Sequence, residues 1–223
     1  MNINDSIKNR HSVRKYTEKK IEGEVLESLN NKIDEINTES GLNIQLVTDE
    51  PKAFQSSLAK YGKFSGVNNY IVLIGKKGRY LSETCGYYGQ KLVLYAQSLG
   101  LNTCWVALTY NKVDGAYRVA SDEKLACVIA IGYGENHGTK SNSKSVSDVI
   151  DGSVDEMPEW FLDGVESALL APTAVNQQKF KIKLVDENEV DIQPGLGFYT
   201  NIDLGIVKYH FEVGAGSCNF EWA

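Results

Sequence analysis

The sequence predicts an α+β fold, with a mixed or antiparallel sheet flanked by helices. Three observations predict it. Short apolar runs rich in branched residues alternate with longer stretches at helical spacing. One long polar stretch, residues 134–149, interrupts the second half of the chain. After it, a helix–strand–helix pattern begins again.

The elements follow in order. In "IEGEVLESLNNKIDEIN", Ile21, Val25, Leu26, Leu29, Ile33 and Ile36 recur at near-helical spacing, which predicts a surface helix with one apolar face. "NIQLVTD" reads as a strand ended by Pro51, and "NYIVLIG" (69–75) as a buried strand. "YYGQKLVLYAQSLG" (87–100) is apolar nearly all round, so it predicts a central buried helix, with Gly100 where a helix C-terminus favours glycine. "TCWVAL" and "ACVIAIG" read as two more buried strands. Past the polar stretch, "EWFLDGVESALLA" predicts an amphipathic helix and "KFKIKLV" a half-exposed strand by its alternation. "IDLGIVKYHFEVGAG" predicts a last helix.

Two parts of the chain resemble each other. "GLNIQLVTDE" precedes one central helix and "KFKIKLVDEN" the other. Gly89 and Gly100 bracket the first as Gly205 and Gly216 bracket the second, with Tyr95 and Phe211 in matching places. This predicts two degenerate repeats, residues 1–150 and 151–223, forming one globular unit; chance recurrence of a common motif is the alternative.

Composition excludes some classes. The chain has 223 residues, 42% apolar content and a net charge of −6, enough to bury a core and unfavourable for a general nucleic-acid surface. No apolar run is long enough to span a bilayer, and "MNINDSIKNRHS" lacks a signal-peptide apolar region. Cys85, Cys104, Cys127 and Cys218 form no CxxC pair, so free thiols in a cytoplasmic protein are expected.

Two segments carry a dense mix of polar groups. In "RHSVRKY", Arg10 and Arg14 flank Ser12, and Lys8, Lys15, Lys19 and Lys20 add positive charge. Within a helix the two arginines would share a face and hold a phosphate between them. A solvated basic surface, with Ser12 or Thr17 as a helix cap, is the plain alternative. In "APTAVNQQKF", Pro172 ends a helix, and Thr173, Asn176 and Gln178 follow at a turn. Amide side chains offer both donor and acceptor, which suits the edge of a flat heterocycle; ordinary loop hydrogen bonding is the alternative. Lys140 and Lys144 stand in the polar stretch, where either could meet an anion.

Other chemistries find little support. Gly132, Gly134 and Gly138 do not make a dinucleotide-binding GxGxxG. His11, His137 and His210 show no metal-ligand spacing, and there is no GxSxG elbow. No side chain is expected to act as a catalytic acid, base or nucleophile, so a borrowed cofactor is the more attractive source of reactivity.

These residues resemble the nitroreductase family. "RHSVRKY" is similar to its N-terminal RxSxR motif, "APTAVNQQKF" to its APSxxNxQPW segment, "AQSLGLNTCWVAL" to its LGLGTCWIG junction and "IAIGYG" to its GYP turn. Lys179 replaces the usual proline, the early place reads "TESGLNIQLV" without the amide set, and the second half has no RxSxR. The chain therefore looks like the branch in which one chain mimics the family's two-subunit dimer. The resemblance implies flavin mononucleotide (FMN) as cofactor and NADH or NADPH as co-substrate. Arg10, His11, Ser12 and Arg14 would hold the phosphate, ribityl chain and pyrimidine edge, with Lys144 reaching the phosphate. Pro172, Thr173, Asn176 and Gln178 would pack on and bond the ring, and a backbone N–H of Ala107 or Leu108 would meet flavin N5. The partner would be a small-molecule electron acceptor such as a nitroaromatic or quinone, with no metal, nucleic acid or membrane, and a monomer or homodimer would serve. The alternatives are a non-catalytic flavin-binding protein and a flavoenzyme with another reaction on a specific metabolite. Residues 52–68 are the expected substrate loop.

Overall fold

The computed structural model describes residues 2–216 and 219–223; Cys218 lies outside them. The chain divides into two compact units, each drawn from separated stretches of sequence: Arg10–Leu81 with Leu92–Lys140, and Met1–Asn9 with Ser82–Lys91 and Ser141–Ala223.

The chain opens with a short helix, α1 (Ile3–Asn9), which the sequence reading did not foresee. Helix α2 (Gly23–Ser40) follows the expected periodicity and buries Leu29, Ile33 and Ile36. Strand β1 (Gln45–Val47) is shorter than expected. Residues 51–68 contain a 3-10 turn, Pro51–Phe54, and a short helix, α3 (Ser57–Tyr61). Strand β2 (Asn69–Lys76) is buried at all positions but its last. Helix α4 (Leu81–Ser98) begins earlier than expected and contributes residues to both units. Leu92, Val93, Leu94 and Ala96 are buried on it, and Gly100 follows with a φ of 80°. Strands β3 (Asn102–Val106) and β4 (Glu123–Gly132) complete an antiparallel sheet in the order β1-β2-β4-β3. One face of this sheet carries Tyr70, Val72, Ile74, Cys104, Val106, Val128 and Ala130, and Phe54 and Phe64 pack on them.

The polar stretch is mostly irregular until α5 (Val146–Val149), which Ser145 and Asp148 start with a reciprocal capping box. Helix α6 (Glu159–Leu169) is followed at Pro172 by the turn the sequence predicts. Strand β5 (Phe180–Asp186) alternates buried and exposed residues in its first half and pairs antiparallel with β6 (Glu189–Pro194). Helix α7 (Thr200–Ala215) is buried over most of its length. Strand β7 (Glu221–Trp222) adds to β6 in parallel. The core here is aromatic: Phe211 meets Phe161, Phe220 and Trp222 at ring-centroid distances of 5.2–5.8 Å. Helices α4 and α7 approach so closely that a Cβ on Gly205 would collide with the carbonyl oxygen of Glu83.

Candidate functional site

The basic segment is not helical. Helix α1 ends at Asn9, and residues 10–17 run extended through the unit that holds β1–β4. Val13 N–H donates to Thr103 of β3 at 3.0 Å, Tyr16 N–H to Ser65 at 3.0 Å, and Thr17 N–H to Tyr133 at 2.8 Å. Ser65 N–H returns a bond to Arg14 at 3.0 Å, and Glu135 N–H one to Lys15 at 2.9 Å. Val13 and Tyr16 are buried anchors, and the Tyr16 hydroxyl donates to the Val13 carbonyl at 2.7 Å. The arginines therefore do not share a helical face. Residues 10, 12 and 14 instead fall at the two-residue spacing of an extended chain, which serves the same end.

Their convergence is visible at Cys104. This buried thiol on β3 accepts the influence of all three: burial pushes its pKa up, while Arg14, a hydrogen bond with Ser12, and Arg10 pull it down. Arg10 is itself poorly solvated. Burial lowers its pKa to about 10, still far above neutrality, so the charge persists at a place that water reaches badly. Among the described residues its Nε–H is buried without a hydrogen-bond partner. A buried, unmatched donor on a fixed cation is an unmet demand for an anion. Gly138 of the loop after β4 lies against His11 and Ser12, closing over the segment. Lys19, counted above as part of the positive field, places its ammonium 3.9 Å from the centroid of the Tyr133 ring. Ala107 and Leu108 follow β3 directly; Ala107 is half-buried and Leu108 exposed.

The amide segment belongs to the other unit and is strained. Val175, Asn176 and Gln178 all have positive φ, at 47°, 55° and 43°. Such angles cost a non-glycine residue about 1 kcal/mol or more apiece, most of all a β-branched one. Val175 is nevertheless 89% exposed, so core packing does not hold it there. Hydrogen bonds do. Gln178 is buried, and its Nε2 donates to Ser143 Oγ at 3.0 Å and to the Leu169 carbonyl at 2.8 Å. Its backbone N–H donates to Thr173 Oγ1 at 3.0 Å. Asn176 Nδ2 donates to the Asn142 carbonyl at 2.7 Å. Lys144 gives its N–H to Gln178 Oε1 at 2.8 Å and its ammonium to the Gln178 carbonyl at 2.7 Å.

Asp203, on α7, is the third support. Its carboxylate accepts Ala174 N–H at 2.9 Å and 3.1 Å on its two oxygens, and Gln177 Nε2 at 2.7 Å. Burial raises its pKa to about 6, against the lowering effect of Gln177 and Ala174.

Within its unit, then, the structure brings Arg10, His11 and Ser12 together beside Arg14, with Ala107 and Leu108 at the end of β3. Within the other it joins Pro172, Thr173, Asn176, Gln178 and Lys144. Sequence reasoning offers no partner for Asp203, and it overlooked Gln177, Ser143 and Asn142. Asp203 bonds residues 26 and 29 positions away, and no local spacing announces that.

Known structures share this fold. One described as "a putative nitroreductase", from Thermotoga maritima, is 24% identical, with a TM-score of 0.68 over 98% of this chain and 85% of that one. A nitroreductase family protein from Streptococcus pneumoniae is 13% identical, with a TM-score of 0.55 over 68% of this chain and 100% of that one. Another "putative nitroreductase", from Desulfovibrio desulfuricans and solved in complex with FMN, is 15% identical, with a TM-score of 0.53 over 69% of this chain and 98% of that one. No curated protein matches. The family model described as "Putative TM nitroreductase" matches residues 2–215, and the chain therefore belongs to the nitroreductase family.

Proposed function

We propose that the chain is an FMN-dependent oxidoreductase that takes electrons from NADH or NADPH and passes them to a nitroaromatic, a quinone or a related small acceptor. The observation that carries the reading is the unpartnered, buried Nε–H of Arg10 in a cluster with Ser12 and Arg14. The FMN of the Desulfovibrio desulfuricans structure supports the choice of ligand. FMN would supply a ring that accepts hydride at N5 and yields it to the acceptor.

The chain's own residues then bind and orient. Arg10, Ser12 and Arg14 neutralise the phosphate or polarise the pyrimidine edge, and His11 flanks the ribityl chain. A backbone N–H at Ala107 or Leu108 meets N5. Pro172, Thr173 and Asn176 shape the ring's surroundings, and Gln178 fixes their turn. Lys144 spends one ammonium donor on Gln178 and keeps the others for an anion. None of these residues exchanges a proton in the scheme. The basic set and the amide set each occur once, so one FMN per chain is expected, as a degenerate internal repeat would give. A cytoplasmic location fits the buried thiols of Cys85, Cys104 and Cys127.

The test is direct. Purified protein should be yellow, should bleach with NADH or NADPH under argon, and should recover its colour with a nitroarene or quinone. Arg14→Ala should weaken FMN binding by about 1.5–3 kcal/mol, the worth of a charge-assisted bond. Protein that binds FMN but is bleached by neither nucleotide favours a flavin-binding role without catalysis. Protein that binds no FMN overturns the reading.

A further inference from the structure

The segment 172–178 combines three unfavourable backbone angles with an exposed valine at its tip. Strain of this kind persists only where the surroundings over-determine it. Two of the supports are neutral: the amide of Gln178 and the hydroxyl of Thr173. The third is a carboxylate taken out of water, which is costly unless its lone pairs are filled. Asp203 fills them with the first N–H of the 3-10 turn Ala174–Asn176 and with the side chain of Gln177. Gln177 is anchored at the same time, because its Nε2 also donates to the Phe198 carbonyl at 2.7 Å. The amide cannot flip without setting its oxygen against that carbonyl.

From this geometry we infer that Asp203 is the positioning residue of the amide segment, acting through Ala174 and Gln177 to hold the left-handed turn that presents Val175 and Asn176. The inference rests on the proposed flavin role only for what the segment is positioned towards. Asparagine is the sharp probe. With its oxygen in the Oδ1 place its NH2 would face the NH2 of Gln177, and with its oxygen in the Oδ2 place its NH2 would face the Ala174 N–H, so either way a donor meets a donor.

Other charges do not account for the state of Asp203. Ionisable groups on the elements packed around α7 are Glu83, Cys85, Tyr87, Tyr88 and Lys91 of α4, Asp5 and Lys8 of α1, Glu159, Asp163 and Glu166 of α6, and Glu189 and Asp191 of β6. Glu83 is paired with Lys208 at 2.6 Å and Tyr87 with Glu212 at 2.7 Å. The upward shift at Asp203 arises from burial, opposed by the hydrogen bonds from Gln177 and Ala174.

The experiment has two arms. In the first, the Ala174 amide and the Gln177 NH2 of the protein as purified are followed by ¹⁵N-¹H NMR from pH 4.5 to 8. Both should move with one midpoint near pH 6. The movement should vanish in Asp203→Asn, which also separates it from the titration of any bound phosphate ester, near pH 6. Wild-type shifts for both resonances in Asp203→Asn, or a titration that persists in the variant, overturn the inference. In the second arm, FMN is titrated at pH 7.5. Asp203→Asn should bind it about tenfold more weakly and change the visible circular dichroism of the bound flavin. Wild-type affinity with an unchanged visible signal overturns the inference. If wild-type protein binds no FMN, the flavin reading fails, and the first arm alone decides the positioning role. Should Asp203→Asn not fold, Gln177→Leu removes the same contact from the solvent side. It should then reproduce the flavin changes, and a wild-type result with it counts against the inference.

Discussion

Lys144 grips both ends of Gln178: its N–H donates to the side-chain Oε1 at 2.8 Å and its ammonium to the main-chain carbonyl at 2.7 Å. With the donations from Gln178 to Ser143 and Leu169, every polar atom of that buried amide is engaged inside the protein. Gln178→Ala would leave the Lys144 N–H without its partner, take from the Leu169 carbonyl one of its two donors (Ser143 Oγ remains, at 3.0 Å) and open a cavity. A loss of roughly 2–4 kcal/mol is expected in urea denaturation. Lys144→Met, which keeps the backbone bond and the aliphatic stem, should cost less than half as much.

Asp203 makes stability depend on pH in an unusual direction. Its pKa rises from 3.8 in the ordinary state to about 6 in the fold, so the folded chain holds a proton that the unfolded chain releases. Its contribution is therefore most favourable below about 4 and declines as pH rises through 6. Asp203→Asn removes this dependence. The stability of the variant relative to wild type should improve by roughly 2 kcal/mol between pH 4.5 and pH 7.5. A difference that stays constant over that range would contradict the assignment.

Two glycines should respond to alanine for different reasons. At Gly205 the added methyl meets the backbone carbonyl of Glu83 and the amide of Tyr87, neither of which can rotate away. Gly205→Ala should cost about 3 kcal/mol or more. At Gly100 nothing lies within 4 Å of the added methyl, and only its φ of 80° resists. Gly100→Ala should cost about 1 kcal/mol. Thermal melts of the two variants give the ranking.

Val175 is a site where stability can be gained. Asparagine tolerates the left-handed region far better than a β-branched residue, and the exposed valine side chain would lose little burial. Val175→Asn should raise stability by about 1 kcal/mol in urea. A neutral or negative result would mean that the valine makes contacts worth more than the strain.

Much of the fold was legible because burial imposes a period. The apolar stripe of α2, the unbroken run of β2 and the alternation of β5 each announce both an element and its buried face. The elements that escaped are short or polar. Helix α3 has five residues, and β6 reads "EVDIQP", where only Val190 and Ile192 face inward. The basic segment was found by composition but given the wrong geometry, because a spacing of four places two arginines on one side of a helix and of an extended chain alike. The amide segment was found by its resemblance, whereas its strain and its carboxylate support lie in backbone angles and distant partners that no short window of sequence contains.

The lacing of residues 10–17 has a bearing on how the protein is made. This stretch leaves the ribosome before all of its partners, Ser65, Thr103, Tyr133 and Glu135. Its bonds with Ser65 can form only after about fifty further residues have been synthesised, and those with Tyr133 and Glu135 only after more than a hundred, an entropic delay that local helices do not suffer. The arginines should thus be made before the groups that hold their segment and be among the last to become ordered. During that interval the basic stretch is open to proteases and chaperones.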